Sequence, residues 1–550
     1  MSADPASPSL AASPSPTGHY DFVIVGSGFG GSVAGLRLTE KGYRVLMIEK
    51  GRRFAAEDFP ESTWSLRRWL WMPAVNFRGI FKITALRHVT IFSGVGVGGG
   101  SLVYANTLPV PKVAFFTSGS WAGLAKWQDD LAPHYVTAKR MLGATRFPGV
   151  TPGDKALRAV AEDMGRGEHF EPTDVAVYFG EPGKTVPDPF FDGAGPERTG
   201  CNLCGGCMTG CRFGAKNTLD KNYLYLAEKR GLTIVPDTEV TAVRPRAAGG
   251  YAIEASTSTG WFGRVGKQWT ADRVVLAGGV LGTVDLLLAM KTDPAGLPNL
   301  SERTGQFIRT NSESLIGVTS ERRDVDYSTG VAITSIYHTD EHSHVEPVRY
   351  AKGSGFFRLF MAPHAPGANG FYRLLNVLAT MVRHPLSLLR LYFVPDWAKY
   401  TQILLYMRTL DGTLTFKRGR TPLAGFQKGL TSKLADARAP EAFIPEATDI
   451  ARRFAEKVGG TAASLVSETA LGIPSTAHIL GGACIGATAA DGVISPTHEV
   501  HGYPGLYVCD GSAISANPGV NPALSITAMA ERAMSMIPPK SVSGPPQPSP

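Results

Sequence analysis

Apolar and polar positions alternate in recognisable blocks from Tyr20 onward. A β-branched run, YDFVIV, is followed by a glycine turn, an amphipathic stretch, a second apolar run VLMI and then an acid, Glu49. This pattern predicts a strand, a helix, a second strand and a βαβ unit. Further apolar runs around Val235 to Val243 and at Val274-Val275-Leu276 predict two buried strands, the second closing on Gly278-Gly279 before another helix. The parent sheet is therefore discontinuous in sequence. A helix is expected from Leu219 to Arg230, and another from Pro522, a residue suited to a first helical turn, through PALSITAMAERAMSMI. Between Phe371 and Tyr406 the chain is rich in Leu, Val and aromatics with Arg373, Arg383 and Arg390 interleaved, and Pro385 divides it. Two short helices dipping into a lipid surface are expected there, with a buried helical hairpin as the alternative. No apolar run reaches eighteen residues, so no transmembrane helix is expected.

At 550 residues and 43% hydrophobic, the chain exceeds the usual single-core size, which favours two intertwined lobes. A net charge of +8 comes without a basic block or a zinc-finger or helix-turn-helix pattern. That argues against nucleic acid and suits mild attraction to anionic lipid. Residues 1–18 and 539–550 read as Ser/Ala/Pro tails, the first without the n- and h-regions of a signal peptide; a cytoplasmic protein, peripheral at a membrane, is expected.

Chemistry enters with the glycines. Gly26 permits the turn after the first strand, Gly28 lets backbone approach a pyrophosphate, Gly31 lets the helix sit tightly, and Glu49 stands where a carboxylate accepts ribose hydroxyls. Placed between strand and helix, this G-x-G-x-x-G predicts dinucleotide binding. The segment from Ser93 to Ser101 is too glycine-dense for core and suits backbone lying against a flat ring or diphosphate. Four of the six cysteines, Cys201, Cys204, Cys207 and Cys211, follow the C-x2-C-x2-C-x3-C spacing of an iron–sulfur loop. A structural zinc site and free thiols in a glycine-rich loop are the alternatives.

GSGFGG with Glu49, GVGVGGGSLVYAN, VVLAGGVLGT, AHILGGACIG and VCDGSAISANPGVNPALSITAMAER together resemble the glucose–methanol–choline (GMC) oxidoreductases, most closely their bacterial cholesterol-oxidase branch, over roughly Tyr20 to Met536. The resemblance implies an α/β fold: a Rossmann-like FAD-binding domain with a second, substrate-binding lobe built on a mixed β-sheet. The FAD-binding domain would take residues 19–110, 200–310 (with the cysteine loop) and 471–538, and the substrate lobe 111–199 and 311–470. It implies FAD contacts at Gly96, Gly98, Gly99, Ser101, Asn106, Val240, Gly278, Asp510, Gly511 and Pro522 beside those named above. It carries over a catalytic pair, His478 of H-x-x-G-G to accept a hydroxyl proton and Asn521 of G-V-N-P to donate to the same oxygen. The implied reaction is oxidation of a 3β-hydroxysteroid to the ketone, with oxygen or an electron carrier as acceptor. A dehydrogenase for another bulky apolar alcohol using an iron–sulfur cluster, and a flavin or lipid carrier, are the alternatives. Members of the branch also isomerise the product on a glutamate; Glu313 and Glu446 are candidates, neither in a matching motif.

Overall fold

The computed structural model describes residues 18–259, 264–367, 370–383, 385, 391–420, 428–435 and 439–541. Most of both expected tails, and Arg390, lie outside these residues. Two seven-stranded sheets organise the rest. In the first, His19–Val25 is central and pairs parallel with Val45–Ile48 on one side and Gly266–Leu276 on the other. Val45–Ile48 is buried at every position, as a strand covered on both faces must be. Leu506–Val508 joins parallel to Gly266–Leu276, so the C-terminal segment returns to the sheet that the N-terminus began.

The apolar run at Val235 to Val243 is not one strand. Pro236 and Asp237, the latter left-handed at φ 51°, separate Thr233–Val235 from Thr238–Pro245, and the two pieces occupy opposite edges of the sheet. The helix expected over Leu219–Arg230 is also divided. One 3-10 turn, Leu219–Lys221, ends at Asn222, whose side chain caps a new helix, Tyr223–Lys229, through the Tyr223 N–H at 2.6 Å. Helix Ala523–Ser535 follows Pro522 as expected and is buried almost all round against helices Phe29–Glu40 and Trp127–Met141. Glu531 on it pairs with Arg37 at 2.7 Å and accepts from the Tyr223 hydroxyl at 2.6 Å.

The second sheet runs in the order Met361–Pro363, Gly460–Leu465, Ser314–Ser320, Thr401–Arg408, Ser343–Val348, Ser335–Tyr337, Phe170–Pro172, with antiparallel neighbours. Alternation along its strands sends Ile316, Val318, Leu404 and Tyr406 to one face, under helices Pro152–Asp163 and Pro445–Val458. Leu315, Ile403, Leu405, Met407 and Val348 go to the other, where they meet Ala105 and Met208 from the first lobe's side. That second face carries the site. Thr401–Tyr406, expected to be helical, is thus a central strand, its β-branched and aliphatic run buried between two layers. Gly370–Arg383 is a helix, but Arg373 folds inward to the Thr469 carbonyl at 3.1 Å rather than toward solvent.

Candidate active site

Two glycine loops press on each other at the carboxyl end of the first sheet. Gly26 has φ 101°, and a Cβ there would lie 2.4 Å from the Ala277 carbonyl oxygen; at Gly31 it would lie 2.1 Å from the Gly26 oxygen. At Gly28 an added Cβ would meet no clash, only the Ala277 oxygen at 4.0 Å. From the second loop, a Cβ on Gly99 would fall 2.7 Å from the Gly28 Cα. Gly30, absent from the expected contacts, is the most constrained: its Cβ would be 1.6 Å from the Cys509 oxygen, where the helix crosses the C-terminal segment. The double glycine at 30–31 was the signal for it.

Glu49 is buried at the end of its strand. One oxygen accepts from the Ser27 N–H and hydroxyl at 3.1 and 2.8 Å, the other from the Gly51 N–H at 2.8 Å. Burial raises its carboxyl above the ordinary range, partly offset by these donors. Val240 lies on Thr238–Pro245, whose first N–H bonds the Glu49 carbonyl at 2.9 Å, so both belong to one corner. Gly278 opens helix Gly279–Lys291. Asp510 is held by four donors: the Gly279 N–H and Thr283 hydroxyl on one oxygen, the Ser512 N–H and hydroxyl on the other. It clamps the C-terminal segment, with Gly511, onto that helix start, and Gly511 in turn accepts from the Gly481 N–H. Gly96 and Gly98, with φ 137° and 106°, shape the second loop. The Ser101 hydroxyl is spent inside it, donating to Gly98 and accepting from Leu219. Asn106, fully buried at φ 70°, leaves both amide atoms without a nitrogen or oxygen partner. A glycine cradle closed by two loops, with a buried acid at the end of the second strand, fits FAD.

The segment Arg309–Glu313 runs beside Ala477–Leu480, tied by reciprocal Arg309–Leu480 backbone bonds of 2.8 and 3.0 Å. This brings Glu313 to His478: one carboxylate oxygen stands 2.6 Å from Nδ1 and the other accepts the Ala477 N–H at 2.6 Å. With Nδ1–H held this way, Nε2 is left as the acceptor. Burial pulls the His478 pKa down, but Glu313, and behind it Glu346, more than offset this and raise it above the ordinary value. Glu468, beside Glu313, is pushed up to about 8 by burial. The Asn311 amide bridges to the Val520 carbonyl at 3.0 Å and the Met407 sulfur at 3.2 Å, and stands 3.5 Å from His478 Nδ1. One residue past Val520, Asn521 is buried with its amide oxygen unpartnered. The candidate pair thus sits where the C-terminal helix start meets the face of the second sheet. Glu446 is exposed on helix Pro445–Val458, on the far face of that sheet, and cannot reach the site. Glu346, which the residue pattern did not single out, can. It lies on Ser343–Val348 opposite Leu405, which itself faces Leu315, and it is fully buried with neither oxygen hydrogen-bonded.

The cysteine loop does not form a cage. Among the described residues no three His, Cys, Asp or Glu side chains converge as metal ligands, and Cys201, Cys204, Cys207 and Cys211 are free thiols. Cys204 faces outward while Cys207 is buried. Burial and neighbouring sulfurs push Cys201 up to about 12. The loop is a wall: Lys216 donates to the Leu102 and Cys207 carbonyls at 3.1 and 2.7 Å, and Met208 packs on the substrate-lobe face.

Family models for GMC oxidoreductases match residues 195–290 and 420–530, and one for an NAD(P)-binding Rossmann-like domain matches 24–58. The chain is 46% identical to the cholesterol oxidase of Mycobacterium tuberculosis H37Rv over 95% of its own length and 91% of the relative's. To that of Acinetobacter baumannii it is 42% identical, over 95% of each. The chain belongs to the GMC oxidoreductase family. It is an FAD-dependent alcohol oxidoreductase. Pyridoxine 4-oxidase from Mesorbium loti, at 16% identity, shares the GMC fold with a TM-score of 0.60 over 94% of this chain and 98% of that one.

Proposed function

We propose that this enzyme oxidises the 3β-hydroxyl of a cholesterol-like sterol to the ketone and then moves the Δ5 double bond to Δ4. What carries the reading is the His478–Glu313 pair opening onto a buried, largely apolar sheet face that holds one unpartnered acid, Glu346. FAD, when bound, supplies the hydride acceptor, with oxygen as the final oxidant. His478 Nε2 takes the hydroxyl proton while Glu313 holds the ring, and Asn521 orients the carbinol oxygen. Glu346 then serves as the base that carries a ring proton from C4 to C6, a shuttle that needs a carboxylate not already committed to the protein. Sterol would arrive from a lipid surface met by helix Gly370–Arg383, whose Phe371, Leu375, Leu378 and Val382 are exposed. Among the described residues no helix is long and apolar enough to cross a membrane.

The test is anaerobic mixing of holoenzyme with cholesterol while the visible flavin band is followed. Bleaching is expected, and His478→Ala should keep its FAD yet bleach about 10²–10⁴-fold more slowly. Wild-type enzyme that bleaches only with non-sterol alcohols would overturn the substrate, and an unimpaired His478→Ala would overturn the site.

A further inference from the structure

Oxidising a secondary alcohol sends a hydride to the flavin and leaves one proton behind. The hydride and that proton are both used again when oxygen is reduced to hydrogen peroxide; while the flavin stays reduced, the proton, first on His478, has bulk water as its outlet. On strand Ser343–Val348 alternation places His344 on the same face as Glu346, two residues away. His344 is registered with Met407, the residue whose sulfur touches the same Asn311 amide that lies 3.5 Å from His478 Nδ1. Both His344 and Glu346 have fully buried side chains, and His344 Nε2 stands 3.4 Å from a Glu346 oxygen without forming a hydrogen bond. Neither imidazole nitrogen has a protein partner, an arrangement a folded chain keeps only where water fills the gap. Beyond His344, its ring centroid 5.9 Å away, lies His338, also with a buried unpartnered nitrogen, Nδ1. His338 Nε2 is 3.6 Å from Glu171, and these last two side chains are 32% and 48% exposed. Four titratable groups therefore form a graded series, from a completely enclosed acid beside the site to a carboxylate in solvent.

We propose that Glu346, His344 and His338 are a water-bridged proton path between His478 and Glu171 at the solvent, running outward when the alcohol is oxidised and inward when oxygen is reduced to hydrogen peroxide. It rests on His478 being the residue that takes that proton. Each imidazole accepts on one nitrogen and releases from the other, so one proton enters and one leaves with no change in charge once it has passed. Burial, and the adjacent His344 and Lys112, hold His338 below the ordinary imidazole range, so at neutral pH it is neutral and a proton passes through it without resting there.

Two measurements test the path. In a crystal structure of the FAD-loaded enzyme, ordered water should lie within hydrogen-bond reach of the His344 nitrogens and between the two imidazoles; a dry gap overturns the proposal whatever the substrate. In anaerobic stopped flow, flavin bleaching and proton release to a pH-indicator dye are recorded together after mixing with cholesterol. In wild type the two should coincide. In His344→Leu, and in His338→Ala at the better-tolerated outer end, release should lag bleaching by at least about tenfold, and added imidazole should restore it in His338→Ala. Isomerisation of cholest-5-en-3-one, which releases no net proton, should be unchanged in His338→Ala. Release that keeps pace with bleaching in both variants overturns the path. If wild type bleaches with no sterol, the substrate reading fails, and the crystallographic water decides the path alone.

Discussion

The two sheets treat buried acids in opposite ways. In the nucleotide-binding lobe Glu49 and Asp510 are surrounded by donors, three and four respectively, and each acid draws together segments far apart in sequence. In the substrate lobe Glu346 is just as buried and has none, and His344 beside it has none either. An unpartnered buried polar group costs a few kcal/mol that a neutral apolar residue of the same shape would not. A chain that saturates one set of acids and leaves another bare has assigned the first to architecture and the second to something that arrives from outside.

Removing the bare acid tests this most sharply. Glu346→Gln should leave anaerobic flavin bleaching within a fewfold of wild type, delay proton release as His344→Leu does, and slow isomerisation by about 10²–10⁴, so that the Δ5 ketone accumulates and is seen by its lack of enone absorbance. Its thermal stability should be unchanged or higher, since no partner loses a bond. Asp510→Ala should do the reverse. Four buried donors lose their acceptor, at roughly 1–3 kcal/mol for an orphaned group, so a loss on the order of 3 kcal/mol and weakened FAD retention are expected in thermal unfolding of the isolated protein. An Asp510→Ala enzyme as stable as wild type would abolish the contrast.

Glu313 lies between these two kinds of acid: saturated by the Ala477 N–H and His478, yet on the site's edge. As the carboxylate with the larger effect of the two that raise His478, Glu313 would set, in the proposed mechanism, the pH at which the imidazole can accept the hydroxyl proton. Below its pKa the imidazole is doubly protonated and cannot accept, so the kcat/KM of wild type should climb with pH through a value above the ordinary imidazole pKa of about 6.5. Glu313→Gln should shift that limb to lower pH and cut the plateau by roughly tenfold, with KM little changed. A limb that stays in place in the variant would remove Glu313 from the pair.

Local signals made the nucleotide half legible. The strand–glycine–helix–strand–acid order from Tyr20 to Glu49 has one physical solution, and glycine positions report backbone approach directly, although the G-x-G-x-x-G spacing accounts for the turn without requiring Gly30. Resemblance, not periodicity, supplied His478 and Asn521. The sheet of the substrate lobe was harder to read: Thr401–Tyr406 looks like a continuation of an apolar helix until its register with Ser314–Ser320 is known. Glu346 was invisible for the same reason. In SHVEPV it is one acid among apolar neighbours, and only the pairing with Leu405 and Leu315 turns it toward the site. The cysteine spacing brings the four sulfurs near one another, but among the described residues they do not take up a metal-ligand arrangement, Cys204 facing outward while Cys207 is buried.

The same contrast between committed and uncommitted groups extends to the surface. Helix Gly370–Arg383 commits Arg373 and Val377 to the interior and leaves Phe371 and Val382 65% and 81% exposed, with Leu375 and Leu378 between them. Burying a large apolar side chain is worth about 1.5–3 kcal/mol, and partial insertion at a headgroup boundary recovers a fraction of that, near 1 kcal/mol each. Phe371→Asp with Val382→Asp should therefore weaken binding to anionic phospholipid vesicles by roughly tenfold or more in a sedimentation assay. Turnover on detergent-dispersed cholesterol should not change, because neither side chain lies on the catalytic face. Equal loss on vesicles and in detergent would place the helix in the fold's support instead of at a lipid surface, and vesicle binding that survives both charges would move the entrance elsewhere.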